Sequence, residues 1–245
     1  MNAESPIGPG GTDGSRTSGE VIEVLPAQAQ APAAGPGLRV RHTAVRDFPR
    51  IREICHACYP AAKPWSPGTL MQHLEIFARG QLVVVDAATD RVVGSASSLV
   101  VHWSDYGTGH TWNQITGDGT FRTHDSTGTT LYGADVIVDP AAQGRGVGKL
   151  LYAARRQVAA DLNLSRIRAM ARLQGYHLVA DRMTPAEYAA GIAEGRWTDP
   201  TVSFQVKQGF RLLKVASGYM SDDDRSQGHA VVIEWLNPAY DAQLG

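Results

Sequence analysis

The sequence has few cysteines and no long hydrophobic run. Among its 245 residues only Cys55 and Cys58 are cysteines, so a fold held together by disulfide bonds is excluded. No apolar stretch approaches the roughly 20 residues that a bilayer-spanning helix needs. The N-terminus also lacks the basic and apolar segments of a secretory signal. We therefore expect no membrane partner and, because free cysteines suit a reducing compartment, a cytoplasmic protein.

An excess of charge of either sign is also missing. The chain has 23 basic and 24 acidic residues, for a net charge of -1. Nucleic-acid-binding proteins usually carry a basic excess or patch, so no nucleic-acid partner is predicted.

Cys55 and Cys58 form a C-x-x-C pair on a predicted helix, but no second cysteine pair exists to complete the four ligands of a structural zinc site. No metal is predicted.

Composition divides the chain into three parts. Residues 1–37 are rich in Gly, Pro, Ala, Ser and Gln, a composition that cannot bury enough surface to offset the entropy of ordering. They are predicted to be a disordered N-terminal tail, with an inert extension as the alternative. Residues 38–238 are predicted to form one domain, and residues 239–245 a short C-terminal tail. A hydrophobic content of 43% suits a domain with a proper core.

Strands and helices are mixed along this domain, and no internal repeat is visible. Ser66-Pro67 and Thr184-Pro185 have the residue types of helix starts. Strands are predicted at residues 38–41, 81–87, 91–101, 131–138, 166–173, 210–217 and 228–236, and helices at 47–58, 67–79, 149–162, 185–194 and 200–208. The coarse class is α/β or α+β around one sheet. Residues 103–130 are polar and too long for a structureless loop, so they are either functional or partly a hairpin.

One segment carries most of the chemical information. Gln143-Gly144-Arg145-Gly146-Val147-Gly148 lies between a predicted strand and a predicted helix. The first N–H groups of a helix have no internal partner, and the helix dipole adds partial positive charge there. Glycines remove the Cβ atoms that would hold a phosphate away, while Arg145 and Lys149 add formal charge. The segment is predicted to bind a phosphate or pyrophosphate.

Two common phosphate loops do not fit this segment. A Walker A loop needs Gly, four residues and then Gly-Lys-Ser/Thr, but Lys149 is followed by Leu150, and Gln143 stands where the first glycine belongs. A dinucleotide fingerprint needs G-x-G-x-x-G, and here Lys149 occupies the place of the third glycine. A nucleotide-binding protein is therefore the weaker alternative.

The pattern Gln/Arg-x-x-Gly-x-Gly/Ala, placed after a strand that ends Val138-Asp139-Pro140, does match. It resembles the GNAT superfamily of N-acetyltransferases, and the likeness extends over residues 38–236. Within the superfamily the chain is most similar to a subgroup sometimes fused to a carbon–nitrogen hydrolase domain. The segments that carry this second likeness are residues 131–135, 175–177, 199–205 and 228–235. The resemblance implies an α/β (α+β) fold with a central mixed, mostly antiparallel sheet, flanked by helices and splayed at its central strands.

The resemblance also implies a function. The chain would transfer an acetyl group from acetyl-CoA, as co-substrate, to a primary amine of a small molecule or protein by direct attack in a ternary complex. The alternative is a non-catalytic acyl-CoA-binding or sensor protein on the same fold. A homodimer is compatible with either. The residues expected to hold the CoA arm and its pyrophosphate are Val136, Ile137, Val138, Gln143, Gly144, Arg145, Gly146, Val147, Gly148 and Lys149.

Catalytic groups are less evident. An alkyl amine has a pKa of about 10.4, so it must lose a proton before it attacks a thioester. Asp135 is the only carboxylate within the strand at residues 131–138 and is the candidate base. Strict alternation places it opposite Tyr132, Ala134 and Val136, and a bulge near the splay would change that. The superfamily's late-helix tyrosine is replaced by Gln205. Tyr176 is the candidate acid, and the alternative for Gly175-Tyr176 is a turn with a packed ring.

Overall fold

The computed structural model describes residues 37–60, 63–107, 109–220 and 223–243. The predicted N-terminal tail, residues 1–37, lies outside these ranges except for its last residue, as do the final two residues of the predicted C-terminal tail. The described chain forms seven strands, β1 (Leu38–His42), β2 (Gln81–Asp86), β3 (Val92–Val101), β4 (Thr130–Val138), β5 (Arg166–Arg172), β6 (Arg211–Ala216) and β7 (Ala230–Leu236). Its helices are α1 (Phe48–Cys58), α2 (Pro67–Phe77), α3 (Trp112–Thr116), α4 (Val147–Asp161), α5 (Pro185–Ala193) and α6 (Val202–Lys207).

All seven strands belong to one sheet in the order β1-β2-β3-β4-β5-β7-β6. Only β4 and β5 run parallel, and every other pair is antiparallel. The predicted mixed, mostly antiparallel sheet with flanking helices is therefore confirmed. None of the helices in the described ranges is long and apolar enough to cross a bilayer.

The parallel pair is also where the sheet opens. β4 and β5 are paired only from Thr130 to Gly133 on β4. Beyond that point β4 stays paired with β3 as far as Val138, and β5 stays paired with β7 as far as Arg172. The two central strands thus separate after Gly133 and leave one edge of β4 without a strand partner.

Helices cover the sheet on both faces because its strands are apolar on both sides. On β2, Leu82 and Val84 join the cluster under α4, whereas Val83 and Val85 join the cluster under α1 and α2. We call the first side the α4 face and the second the α1 face. α5 and α6 pack on the α4 face as well, through residues such as Ile192 and Val202.

Local signals in the sequence explain where most elements begin. Ser66 accepts the Thr69 N–H at the start of α2. Thr184 and Glu187 form the predicted capping box of α5. In place of a hairpin, residues 103–107 and 109–129 contain two short helical turns, one of which is α3, capped by Thr111. Side chains of this segment, such as Ile115 and Phe121, cover the α1 face of the sheet beside β4.

A β-bulge in β4 changes the face to which Asp135 belongs. Ser97 pairs with Asp135 and Ser98 pairs with Gly133, so Ala134 is an extra residue in β4. Tyr132 and Ala134 pack on the α1 face, and the bulge places the next side chain, Asp135, on that face too. The expectation from strict alternation, that Asp135 lies opposite Tyr132 and Ala134, was wrong because one inserted residue shifts the register of the face.

The far end of the sheet is held by a buried charge cluster. Glu234 on β7 is 1% exposed and is paired with Arg166, Arg168 and Arg211. Burial works to raise the pKa of Glu234, but hydrogen bonds from Arg211 and Arg168, together with their charges, outweigh it and hold the pKa below its usual range. The cluster ties β5, β6 and β7 together through one carboxylate.

Replacing Glu234 with Gln is expected to lower the free energy of unfolding by about 3 kcal/mol, because three partly buried arginines then lose the buried carboxylate that pairs with them. A Glu194→Gln variant, which alters an exposed ion pair with Arg196, should change it by no more than about 1 kcal/mol. Urea unfolding monitored by circular dichroism measures both. Since the folded-state pKa is lowered, the contribution of Glu234 should be complete above about pH 4.3 and be lost as pH falls through the folded pKa. Equal losses in both variants would contradict this role.

Candidate active site

The loop at residues 143–149 has the backbone expected of an anion cradle. Gly144 and Gly146 have φ angles of 78° and 85°, in the left-handed region, and a Cβ at either would meet nothing within 4 Å. The first i to i-4 hydrogen bond of α4 runs from the Leu150 N–H to the Gly146 oxygen. The N–H groups of the three residues ahead of Leu150 therefore precede the helical ladder, at the positive end of the dipole.

Charge around this loop is mixed. Gln143, Arg145 and Lys149 are exposed, and the Arg145 guanidinium lies 3.3 Å from the Asp86 carboxylate. Val147 is buried and anchors the start of α4 in the core. The loop thus combines a fixed backbone with movable cationic side chains, which suits a phosphate group bound mainly through N–H donors.

The open edge of β4 offers main-chain groups beside this loop. The Asp139 N–H donates to the Val93 oxygen, so alternation directs the main-chain groups of Ile137 toward β3 and those of Val136 and Val138 toward the open edge. The Cys58 thiol already donates to the Val138 oxygen at 3.3 Å. Of the three residues predicted to pair with an extended ligand, two therefore face the edge, and Ile137 lies between them with its side chain in the core.

Asp135 is partly exposed where β4 and β5 separate. Burial raises its pKa, and the side-chain hydrogen bond from Trp65, the Val136 N–H and the charges of Arg155 and Arg172 only partly offset that effect. The nearby carboxylate in turn raises the pKa of Tyr59. A carboxylate with a raised pKa is a stronger base than a free aspartate, so Asp135 has the electrostatics of a general base.

Arg155 holds the bulge that orients Asp135. Its guanidinium, 2% exposed on α4, donates to the main-chain oxygens of Ser97 and Asp135 and to the Ser98 hydroxyl. A Cβ at Gly133 would lie 2.8 Å from the Arg155 Nη1 atom, so only glycine leaves room for the guanidinium there. Arg155 thus donates to carbonyl groups of the bulge, and its charge also acts on the Asp135 carboxylate.

The helix α6 lies against both the loop and α4. A Cβ at Gly148 would lie 3.0 Å from the Phe204 ring, which shows how closely α6 approaches the first turn of α4. The next residue, Gln205, is buried and donates from Nε2 to the Tyr152 hydroxyl at 3.0 Å. Asp199 fixes this position because it accepts the N–H groups of Thr201 and Val202 at the start of α6.

Tyr176, the predicted acid, lies in the core on the α4 face. It is 5% exposed, and its hydroxyl donates to the Met183 oxygen at 3.0 Å. Its ring packs edge-on against His229 and at an angle against Tyr188. Gly175-Tyr176 thus forms a turn in which the tyrosine ring is packed and its hydroxyl is engaged, as in the alternative to a catalytic role.

The long segment before β4 reaches the bulge through one side chain. The Trp112 indole N–H donates to the Ala134 oxygen at 3.1 Å, and its ring lies against Trp65. Phe121 and Thr116 are fully buried, and Phe121 stacks on His73. Phe121 and Thr116 therefore belong to the core, whereas Trp112 borders the bulge that carries Asp135.

A second ring of side chains surrounds Asp135 on the α1 face. Arg172, at the end of β5, lies over the Tyr59 ring and pairs with Asp223 at 3.2 Å. Tyr219 donates to or accepts from Tyr132 through their hydroxyls, 2.7 Å apart. This face is thus lined by aromatic rings around one carboxylate with a raised pKa and one paired arginine, an environment that can hold an uncharged amine beside a base.

Comparison with known proteins bears on the family. A family model described as Acetyltransferase (GNAT) family matches residues 48–179, which include β4, the loop, α4 and β5. The chain belongs to the GNAT family. The Uncharacterized N-acetyltransferase YkwB of Bacillus subtilis (strain 168) is 30% identical over 207 residues, which cover 83% of this chain and 90% of that protein. As a GNAT acetyltransferase, the protein is an acyltransferase.

Two further likenesses extend the comparison. This chain is 34% identical over 201 residues to the Probable hydrolase YhcX of the same organism. The match covers 82% of this chain but only 39% of that relative. The chain thus spans about two fifths of the length of YhcX. A solved structure of the GphF GNAT-like decarboxylase in complex with isobutyryl-CoA superposes with a TM-score of 0.67 at 22% identity, covering 81% of this chain and 98% of that one. This likeness supports the fold.

Several residues at this GNAT site were not singled out from the sequence. Trp65 lies against the Trp112 ring and acts on Asp135 from a distant segment, and no local pattern marks it. For Arg155 a signal existed: it lies four residues after Leu151 and four before Ala159, within the apolar stripe of α4. A charged residue in such a stripe is buried only when it has partners.

Proposed function

We propose that this protein transfers an acetyl group from acetyl-CoA to a primary amine, in a ternary complex and without an acyl-enzyme intermediate. The observation that carries the proposal is Asp135: the bulge in β4 places a carboxylate with a raised pKa at the point where β4 and β5 separate. That point adjoins the open edge of β4 on one side and an aromatic-lined face on the other. A base at the meeting point of two substrates is what direct aminolysis of a thioester needs.

The residues present fit a CoA thioester. The glycines at 144 and 146 leave open space above unpaired N–H groups, which suits the pyrophosphate, with Gln143, Arg145, Val147, Gly148 and Lys149 completing the cradle. Val136 and Val138 turn main-chain groups toward the open edge, which suits the amides of the pantetheine arm, and Ile137 keeps the strand between them rigid. The thioester supplies the activated acetyl group. No metal is required for this reaction.

Asp135 takes the proton that the attacking amine must lose. Burial raises its pKa, which makes the carboxylate a stronger base than a free aspartate. The amine approaches from the α1 face, between Tyr59 and Trp112. This arrangement leaves the α4 face to the cofactor arm and separates the donor from the acceptor.

The acceptor is proposed to be a primary amine on a small molecule or a protein. We further propose that the protein belongs with the GNAT subgroup that is sometimes joined to a carbon–nitrogen hydrolase domain, because it aligns with 39% of a longer relative named a probable hydrolase.

A thiol-release assay tests the proposed function. The protein is incubated with acetyl-CoA and a panel of amines that includes aliphatic, aromatic and amino-acid types, and free thiol is measured with a chromogenic disulfide. Mass spectrometry then identifies the N-acetylated product. Thiol release that depends on an amine and yields its N-acetyl product supports the proposal.

The alternatives predict other outcomes. A chain that binds CoA tightly in calorimetry but turns over no amine would be a non-catalytic acyl-CoA-binding or sensor protein, an alternative that the Gln205 replacement favours. Protection against thermal unfolding by ATP, and not by CoA, would indicate a nucleotide-binding protein. Either result would overturn the proposed acetyl transfer.

A further inference from the structure

Helix α6 lacks a tyrosine, but α4 brings a tyrosine hydroxyl to the same place. The tip of Gln205 on α6 meets the Tyr152 hydroxyl, with the Gln205 Nε2 atom 3.0 Å from the tyrosine oxygen. Both side chains are buried, Tyr152 at 5% exposure and Gln205 at 7%. The Tyr152 ring is held edge-on by Phe204 and Phe210. Its hydroxyl position is therefore set by packing from α6 and the residue before β6.

The hydrogen bonds of this pair are incomplete. Gln205 donates and the Tyr152 oxygen accepts, so the proton of the hydroxyl remains available. Among the hydrogen bonds of the described residues, none takes that proton, and the Gln205 Oε1 atom is buried with no partner. Buried polar groups are normally paired. The pair therefore presents one donor and one acceptor to a group from outside the chain.

The position of Tyr152 lies between the phosphate loop and the opening of the sheet. It follows Gly148 by four residues, about 6 Å along the helix axis. On its other side, the Arg155 guanidinium carbon is 5.7 Å from the centroid of the Tyr152 ring, and Arg155 itself binds the bulge. Tyr152 therefore lies on the α4 face of the sheet, between the phosphate loop and the arginine that binds the bulge.

We propose that Tyr152 is the general acid of the reaction, held in place by Gln205. This role presupposes the proposed acetyl transfer. As the amine nitrogen bonds to the carbonyl carbon, Asp135 receives the proton of the amine. The carbon–sulfur bond then breaks, the sulfur keeps the electron pair, and the Tyr152 O–H proton passes to it. Solvent returns a proton to Tyr152 and removes one from Asp135, which closes the cycle without any other reactant.

The electrostatics around Tyr152 suit an acid. Burial raises the pKa of Tyr152, while the charge of Arg155 and the Gln205 hydrogen bond act to lower it. The net direction keeps the phenol protonated at neutral pH, when it must donate. The nearby Arg155 cation stabilises the phenolate that exists briefly after transfer. Gln205 Oε1 remains free to accept an amide N–H of the CoA arm.

A Tyr152→Phe variant separates this role from packing. The ring and its contacts remain, and only the hydroxyl is removed. We expect kcat to fall by about 10²-fold or more, while the KM for acetyl-CoA changes little. Tyr176→Phe is the matched comparison, since it removes another buried hydroxyl on the same face of the sheet. A loss of kcat in Tyr176→Phe without one in Tyr152→Phe would overturn the assignment.

A second measurement does not depend on turnover. In the complex with CoA, the thiolate absorbs in the ultraviolet, so its pKa is read from a pH titration at saturating CoA. A hydroxyl that donates to the sulfur stabilises the thiolate, so the bound thiol should ionise at a lower pH in the wild-type protein than in Tyr152→Phe. Desulfo-CoA binding, measured by calorimetry, should be the same in both proteins and shows that the fold is kept.

The outcomes distinguish the two proposals. If the wild-type protein acetylates no amine, the proposed function fails, and the thiol titration still decides whether Tyr152 contacts the sulfur. If acetylation occurs but Tyr152→Phe keeps the wild-type kcat, or the thiol pKa is the same in both proteins, the role of Tyr152 is refuted. A reduced kcat together with a raised thiol pKa supports it.

Discussion

Replacing Asp135 with Asn is expected to lower kcat by about 10²–10⁴-fold, the usual contribution of a positioned general base. The substitution keeps the size of the side chain and can keep the hydrogen bond from Trp65, so the bulge and the aromatic face should persist. Asn cannot accept a proton from the amine. Steady-state kinetics with acetyl-CoA and an active amine from the panel measures the effect, with Asp161→Asn, an exposed carboxylate at the end of α4, as the control.

The pH dependence makes this prediction sharper. With a weakly basic amine, whose own ionisation lies outside the range, kcat/KM in the wild-type protein should fall as pH drops through the raised pKa of Asp135. The Asp135→Asn variant should lose this limb of the profile. An unchanged limb in the variant would assign the base to another group.

The Asp135→Asn variant should lose activity without losing stability. Because the pKa of Asp135 is raised in the folded state, ionised Asp135 costs stability, and that cost appears as pH rises through the folded pKa. At neutral pH, Asp135→Asn should therefore be at least as stable as the wild type in thermal unfolding. A variant that is inactive because it is unfolded would contradict the assignment of Asp135 as a base.

A Gly146→Glu variant is expected to lower CoA affinity by about 100-fold or more, or about 2.8 kcal/mol. The space above Gly146 is open, and the proposed pyrophosphate lies there. A carboxylate in this space meets like charges, each worth about 1–4 kcal/mol at a 4 Å separation near a protein surface. Calorimetry with CoA measures the loss.

Backbone strain must be separated from this charge effect. Gly195 after α5 also has a positive φ, 74°, and open space around its Cβ position. A Gly195→Glu variant therefore carries the same strain and the same charge at a distance from the loop. It should lose similar stability, of the order of 1–2 kcal/mol, and bind CoA normally. Equal CoA affinities in the two variants would place the cofactor elsewhere.

Elements with local signals followed from the sequence. The capping residues at Ser66 and Thr184 predict where α2 and α5 begin, because an N-cap satisfies N–H groups within a few residues. The strand, glycine turn and helix around residues 131–162 were predictable for the same reason. The phosphate cradle depends on backbone conformation, and the glycines at 144 and 146 encode that conformation directly.

The proposed catalytic arrangement, in contrast, depends on residues that are far apart in the sequence. The bulge at Ala134 exists because Arg155 pairs its carbonyl groups from one side and Trp112 from the other, and these residues are 21 and 22 positions away. Strict alternation along β4 therefore assigns the Asp135 side chain to the wrong face of the sheet. Tyr176 is a plausible acid from the sequence because it follows β5. In the structure its hydroxyl donates to the Met183 oxygen, a contact that depends on how the segment before α5 folds back.

The sequence by itself determined the family, most elements of the sheet and the glycine loop proposed to bind CoA, since each rests on residues that are neighbours in the chain. Only the tertiary structure decided which face carries Asp135, the proposed base, and which partners the hydroxyls of Tyr152 and Tyr176 have among the described residues. Asp135 has its raised pKa because separate elements of the fold bury it, and the opposing effects of Trp65, Arg155 and Arg172 offset that burial only in part. Desolvation and hydrogen bonding are set by such convergence, and spacing along one strand does not encode it.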